Sequence, residues 1–170
     1  MQYEARKFVK ESYKENDLLG KQLLVAYLYN KGHVIKPETF DEDYGVDILT
    51  ELDGKEYKFE VEMKDKYNFT NEKDFPFETV SFLGRKEKWK DQNFEYCIIG
   101  KADKAAIFCN SNVIYNPDYR QVIGIDTIHR YGNDMFYRVP VELCSFRPPQ
   151  IFFQKNHQEI WESIKNELVL

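Results

Sequence analysis

The chain has 170 residues, of which 24 are basic and 29 acidic, so its formal net charge is −5. This length fits one domain of ordinary size, and a composition of 42% hydrophobic and 31% charged residues is typical of a soluble globular fold. No apolar run approaches the roughly 20 residues of a membrane helix. A protein that coats nucleic acid with its whole surface is usually basic, so we expect no membrane partner and only local contacts with nucleic acid.

The three cysteines indicate the compartment. Cys97, Cys109 and Cys144 lie far apart among apolar neighbours, and no Cys/His pair has the spacing of a zinc site. We therefore expect reduced, buried thiols in an intracellular, cytoplasmic protein. The N-terminus also lacks the apolar segment of a signal peptide.

The elements before residue 65 are a helix, a short strand and a hairpin. Leucines at helical spacing predict a helix over the first thirty residues, ended by Gly32, and residues 33–35 resemble a short strand. The Asp53-Gly54 pair, between strands at 45–52 and 55–64, is a strong hairpin signal. In the second strand the side chains alternate, with apolar residues on one face and Lys58, Glu60, Glu62 and Lys64 on the other.

The rest of the chain predicts further strands and helices. Residues 65–74 have no strong element, and residues 77–90 read as helical at their end. Two apolar strands follow at 96–99 and 105–109, then strand-like pieces at 122–125 and 135–143 and a closing helix at 157–168. This order predicts one domain over residues 1–170 of mixed α/β class, in which helices flank a mixed sheet with a central hairpin.

Asp47, Glu62 and Lys64 are the side chains that indicate chemistry. A two-residue turn places Asp47 opposite Glu60 and diagonal to Glu62, whereas a four-residue loop places Asp47 opposite Glu62. Both registers leave the carboxylates on one side of the hairpin. Alternatively, the charges on this strand form an ordinary solvated face with cross-strand ion pairs.

Two carboxylates on neighbouring strands repel one another unless a cation lies between them. Mg²⁺ prefers hard oxygen ligands, usually one or two carboxylates with waters and phosphate oxygens, and it lowers the pKa of a bound water. We therefore predict a Mg²⁺ or Mn²⁺ site formed by Asp47, Glu62 and the main-chain carbonyl of Met63. Lys64 would orient the attacking water or stabilise the charged transition state.

The pieces Gly45-Val46-Asp47-Ile48 and Glu60-Val61-Glu62-Met63-Lys64, after a helix and a strand, resemble the PD-(D/E)xK nuclease superfamily. They look most like Holliday-junction resolvases and related phage or restriction-type endonucleases. The resemblance implies a restriction-endonuclease-like core over about residues 13–110, with a C-terminal extension over about 111–170. It also implies that Asp47 and Glu62 bind the metal, that Lys64 is the catalytic lysine, and that a homodimer is plausible.

Further acids and cations are candidates for the same site. Glu60 shares the face of Glu62 and is a candidate ligand in the tighter register. Many members of the superfamily also place an acid in the first helix, where Asp17 and Glu15 are the nearest acids here. Arg85 and Lys86 are candidate phosphate contacts, because the corresponding helix borders the substrate groove in these nucleases, and Thr79 and Ser81 could add hydroxyl donors.

The sequence therefore predicts a Mg²⁺- or Mn²⁺-dependent endonuclease that hydrolyses DNA phosphodiester bonds. One alternative is a catalytically inactive domain of the same fold that binds nucleic acid or protein. Another is an RNA-processing nuclease, which would share the metal chemistry and differ in its substrate.

Overall fold

A computed structural model describes residues 10–65, 67–127, 130–149 and 156–169. The α-helices are α1 (Lys10–Asn30), α2 (Ser111–Ile114) and α3 (His157–Leu168). The strands are β1 (Val34–Ile35), β2 (Ile48–Leu52), β3 (Lys55–Lys64), β4 (Thr79–Leu83), β5 (Glu95–Gly100), β6 (Ala106–Asn110), β7 (Arg120–Thr127), β8 (Arg130–Pro140) and β9 (Ser145–Arg147). Short 3₁₀ helices cover Pro37–Phe40, Glu72–Asp74, Gly84–Gln92, Pro117–Tyr119 and Val141–Leu143. The mixed α and β class predicted from the sequence is confirmed.

The strands form two sheets. The larger sheet has six strands in the order β1-β2-β3-β5-β6-β9, and of its neighbouring pairs only β3 and β5 are parallel. The smaller sheet is antiparallel, in the order β4-β8-β7. One apolar core lies between the larger sheet and helices α1 and α3, and a second lies between the two sheets. Strand β9 and helix α3 come from the predicted C-terminal extension and pack on the elements of residues 13–110.

Helix α1 ends where the sequence predicts. The N–H of Gly32 donates to the carbonyl of Tyr29, and the N–H of His33 donates to that of Leu28. This Schellman pattern requires a left-handed residue, and Gly32 has φ +93°. Earlier in α1, a Cβ atom at Gly20 would lie 3.0 Å from Cγ of Met63, so the glycine lets the helix approach β3 closely.

The hairpin of β2 and β3 has the two-residue turn. Asp53 and Gly54 have φ of 52° and 78°, the positive values that a type I′ turn requires. The register pairs Ile48 with Phe59 and Leu52 with Lys55, so the next position places Asp47 opposite Glu60. The alternative with a four-residue loop and Asp47 opposite Glu62 is therefore wrong.

The segment after the hairpin is helical at its end, as the sequence predicts for residues 77–90. This end is the 3₁₀ helix Gly84–Gln92, and it follows strand β4, in which buried and half-buried residues alternate. A Cβ atom at Gly84 would lie 2.5 Å from the carbonyl oxygen of Met135, so this glycine permits the close passage of β8. In the part of the chain that the structure describes, no helix is long and apolar enough to cross a membrane.

Candidate active site

The candidate site lies where β3 extends beyond its partner β2. Strand β2 begins at Ile48, so the backbone N–H of Val61 has no β2 partner. The side chain of Asp47 accepts this N–H instead, with 3.0 Å between Val61 N and Asp47 Oδ2. The carboxylate thus continues the hydrogen bonding of the hairpin, which fixes Asp47 beside Glu60.

Lys86 is the central cation of the site. Its Nζ lies 2.7 Å from Oε2 of Glu60, 3.5 Å from Oδ2 of Asp47 and 3.4 Å from the carbonyl oxygen of Val61. The ammonium also lies 5.0 Å from the ring centroid of Tyr96. Because the side chain of Glu60 is only 4% exposed and that of Lys86 13%, these charges are paired away from bulk water. The charged face of β3 is therefore covered at Glu60 rather than solvated.

Burial and mutual repulsion set the protonation of the two carboxyl groups. Burial and the adjacent Asp47 together raise the pKa of Glu60 to about 8, against the opposing charge of Lys86. Burial also acts to raise the pKa of Asp47. Hydrogen bonds with Glu60 and Val61 and the charge of Lys86 outweigh burial, so the pKa of Asp47 lies below its ordinary value. The pair therefore keeps one proton to a higher pH than a solvated carboxyl group does.

Glu62 and Lys64 lie next to each other on the same face of β3. Oε1 of Glu62 is 4.0 Å from Nζ of Lys64, and Oε2 accepts a 2.6 Å hydrogen bond from the Tyr96 hydroxyl. Lys64 donates to the carbonyl of Ser81 at 3.2 Å and to the hydroxyl of Tyr67 at 3.3 Å. Both charged groups are thus held by residues that come from outside the hairpin.

The first helix contributes an acid to the same electrostatic neighbourhood. Asp17 is exposed on α1, yet loss of hydration and the negative charge of Asp47 raise its pKa, against the opposing charges of Lys21, Lys86 and Arg85. Lys21 donates to the main-chain carbonyl of Thr39. Glu15, the other first-helix candidate, is exposed on α1.

The predicted phosphate contacts occupy different positions. Arg85 is exposed on the 3₁₀ helix, whereas Lys86 points into the carboxylates. Ser81 meets Lys64 through its main-chain carbonyl, and Thr79 lines a groove with Phe75, Phe77, Pro140 and neighbouring residues. The contacts of Arg85, Lys86, Thr79 and Ser81 with nucleic acid stay predictions.

A tryptophan holds the 3₁₀ helix against the Asp47 segment. A Cβ atom at Gly45 would lie 2.9 Å from Cζ3 of Trp89, so a residue larger than glycine would displace the ring. The Gly-x-Asp spacing therefore has a packing reason: Gly45 receives Trp89, and two residues later Asp47 meets Lys86, which comes from the same 3₁₀ helix.

The oxygen atoms fit a hard divalent cation with few protein ligands. Within residues 10–65, 67–127, 130–149 and 156–169, no three acidic, histidine or cysteine side chains converge as a metal cluster. Two carboxylates and a backbone carbonyl do converge on the Lys86 ammonium, and Mg²⁺ usually keeps several waters besides one or two carboxylates. Along β3 the carbonyls of Val61 and Met63 point to the same edge, so the predicted Met63 ligand lies on this side.

Sequence reasoning missed the two tyrosines of the site. Tyr96 pairs with Glu60 in the parallel register of β3 and β5, and its ring reaches forward to Glu62. Burial and the charge of Glu62 raise the pKa of Tyr96 well above its ordinary value, so its hydroxyl stays a donor. Tyr115 follows α2, and its hydroxyl is buried. The apolar run around Tyr96 signals a strand, but the register with β3 is needed to connect it with the acids.

Comparison of the chain with protein-family models, with curated proteins and with solved structures found no match. The proposals that follow therefore depend on the geometry described above and on the sequence motifs.

Proposed function

We propose that this protein is a metal-dependent endonuclease that hydrolyses DNA phosphodiester bonds. The observation that carries the proposal is the convergence of Asp47 Oδ2, Glu60 Oε2 and the Val61 carbonyl within 3.5 Å of one point, the Lys86 nitrogen. The Glu62–Lys64 pair lies on the same face of β3. The order of helix, strand and hairpin, with an acid before β2 and Glu-x-Lys in β3, supports a PD-(D/E)xK-type core.

Each residue has a role in this proposal. Asp47 and Glu62, with Glu60 and the Met63 carbonyl as further ligands, would hold Mg²⁺ or Mn²⁺. The bound ion would lower the pKa of a water and offset negative charge on the phosphate. Lys64 is held by Tyr67 and Ser81 beside Glu62, where its ammonium can orient a water or stabilise a developing negative charge. Arg85 and Lys86 would contact the DNA backbone.

Nicking of supercoiled plasmid in Mg²⁺ tests the proposal. We expect the wild-type protein to nick the plasmid, and Asp47→Asn and Lys64→Gln to reduce the rate by at least about a hundredfold, as for loss of a group that acts in the transition state. Lys58→Gln is the matched control, because Lys58 lies on the same face of β3 but bonds to Gln92. Equal nicking by all four proteins would contradict the proposal, as would no nicking by any of them. Cleavage of a structured RNA in place of the plasmid would favour the RNA-processing alternative. Sedimentation tests whether the protein is a homodimer.

One observation favours the second candidate, a catalytically inactive domain that binds nucleic acid. Lys86 already pairs with Asp47 and Glu60, so these acids have a partner without a metal. Such a domain would bind labelled duplex DNA in EDTA, and Asp47→Asn would leave that affinity unchanged. Fluorescence anisotropy measures the affinity of the wild-type protein and of Asp47→Asn for the duplex. Binding that requires Mg²⁺ and Asp47 would instead favour the endonuclease.

A further inference from the structure

Three oxygen atoms of different origin surround the ammonium group of Lys86. They belong to the Glu60 carboxylate, the Asp47 carboxylate and the Val61 main chain, at 2.7, 3.5 and 3.4 Å from Nζ. These are the hard donors that Mg²⁺ and Mn²⁺ prefer. The Lys86 ammonium and a divalent cation would therefore bind at the same point between these oxygens. Their like charges repel, so only one of them can bind there at a time.

A second observation comes from Tyr115, the residue that follows α2. Tyr115 is only 8% exposed, and its hydroxyl has no hydrogen-bond partner in the described part of the chain. The charges of Glu60 and Glu62 both act on this hydroxyl, which raises the pKa of Tyr115 beyond the effect of burial. Buried hydroxyls are rarely unpaired in proteins. This one is available to a water or ligand that enters beside the two acids.

We propose that Lys86 is the resident counter-ion of a divalent-cation site formed by Asp47, Glu60 and the Val61 carbonyl, and that the metal and the Lys86 ammonium exclude one another. The inference deepens the proposed function, on which it rests, because it adds the Val61 carbonyl to the ligands beside Asp47 and Glu60 and gives the ammonium a regulatory role. Metal binding requires the ammonium to leave the three oxygens.

The position of Lys86 supports such an exchange. Lys86 is the second residue after Gly84, on a 3₁₀ helix that belongs to neither sheet, and the neighbouring Arg85 is exposed, so an outward rotation of the Lys86 side chain would break no strand pairing. The released ammonium would reach the surface on which phosphates are expected. By thermodynamic reciprocity, a phosphate group that binds the released ammonium would then strengthen metal binding.

Calorimetric titration with Mn²⁺ alone tests the exchange. We expect Lys86→Gln to bind Mn²⁺ about tenfold more tightly than the wild-type protein, because a competing cation has been removed. Lys90→Gln is the matched control: Lys90 lies four residues later on the same 3₁₀ helix, is half exposed and pairs with Glu87. This control should leave the affinity unchanged, and Glu60→Gln should weaken it about tenfold or more.

The outcomes separate the inference from the proposed function. If Mn²⁺ binds the wild-type protein through Asp47 while Lys86→Gln leaves the affinity unchanged or weakens it, the exchange is refuted and the endonuclease proposal survives. If neither protein shows a saturable Mn²⁺ site, both proposals fail. If Glu60→Gln has no effect while Glu62→Gln abolishes binding, the metal lies away from Lys86 and the inference is again wrong.

A measurement on the unaltered chain covers the case in which Lys86→Gln does not fold. An amine-acetylating reagent, followed by mass spectrometry of chymotryptic peptides, reports the reactivity of each lysine. We expect saturating Mn²⁺ to accelerate acetylation of Lys86 at least threefold and to leave Lys90 unchanged. A Lys86 rate that Mn²⁺ leaves unchanged or lowers would overturn the inference.

Discussion

The two faces of strand β3 are stabilised by different physical effects. The face toward α1 is apolar and carries Tyr57, Phe59, Val61 and Met63. The opposite face carries Lys58, Glu60, Glu62 and Lys64. On the first face, burial stabilises the fold without regard to exact partners, since the hydrophobic effect has no direction. On the second face, each charged group that loses water needs a partner of the right sign and geometry.

The charged face obtains those partners from later segments of the chain. Gln92 and Lys86 come from the 3₁₀ helix, Tyr96 from β5 and the carbonyl of Ser81 from β4. A buried ion pair is often no more stabilising than apolar residues of the same size. An apolar alternation would have sufficed for folding, so the charged composition of the second face is what the proposed metal site requires rather than what stability requires.

The largest effect should follow from breaking the charged face at its centre. Lys86→Ala removes the cation from a Glu60 side chain that is 4% exposed, and we expect the free energy of unfolding to fall by about 3–5 kcal/mol. Urea denaturation at about pH 9, above the pKa of Glu60 of about 8, measures the loss while both carboxyl groups are ionised. The double variant Lys86→Ala/Glu60→Gln should regain part of the stability, because no buried carboxylate is left unpaired. A double variant no more stable than Lys86→Ala alone would show that packing, not charge, is responsible.

The apolar face should respond less, and without dependence on a partner. Val61→Ala removes two methyl groups from a residue that is 3% exposed and packs in the core under α1, so we expect a loss of about 2 kcal/mol. The double variant Val61→Ala/Lys86→Ala tests whether the two faces are independent. Val61 packs on one face of β3 and Lys86 contacts the other, so the two losses of stability should add within about 0.5 kcal/mol. A coupling above about 1 kcal/mol in the urea data would mean that the faces are not independent.

Local signals made much of the fold predictable. The Asp53-Gly54 turn, the alternation along β3 and the Gly32 helix end each depend on residues close in sequence, and the structure has all three. Because side chains alternate along a strand, the sequence also predicts that Glu62 and Lys64 lie on one face of the hairpin. The two-residue turn then determines that Glu60, rather than Glu62, is opposite Asp47.

Contacts between distant segments could not be predicted in the same way. Lys86 is one of several cations in a short run, and nothing local distinguishes it from Lys88 or Lys90. Its inward position depends on contacts with distant segments, namely Trp89 against Gly45 and the Lys86 ammonium against Asp47 and Glu60. The same holds for Cys109 and Cys144, which appeared far apart in sequence. The β6–β9 register pairs Phe108 with Ser145, so the two thiols face each other one position further along. Both are free, and Cys109 is buried as expected, whereas Cys144 is only half-buried, so the expectation of burial is wrong for Cys144.

Removal of one hydroxyl tests how much a single partner matters on the charged face. Tyr96→Phe deletes the 2.6 Å hydrogen bond to Glu62, and we expect a loss of about 1.5 kcal/mol, near the lower limit for a bond to a charged group. The loss stays moderate because Glu62 is 18% exposed and can recover a water. Tyr57→Phe on the apolar face should change stability by less than about 0.5 kcal/mol. Equal losses for both variants in thermal or urea unfolding would contradict this reading of the charged face.

The smallest effect concerns His33, whose ring stacks edge-on against Tyr57 and Phe59 at the apolar end of the hairpin. Burial lowers the pKa of His33 below its ordinary value of 6.5, so the unfolded chain binds its proton first as the pH falls. The contribution of His33 to stability is therefore complete above pH 6.5 and declines as the pH falls toward the lowered pKa. We expect the difference in unfolding free energy between the wild-type protein and His33→Gln to shrink on acidification through this range, while shared carboxyl titrations cancel. A difference that grows instead would place a favourable negative partner beside the imidazole and contradict the role of burial.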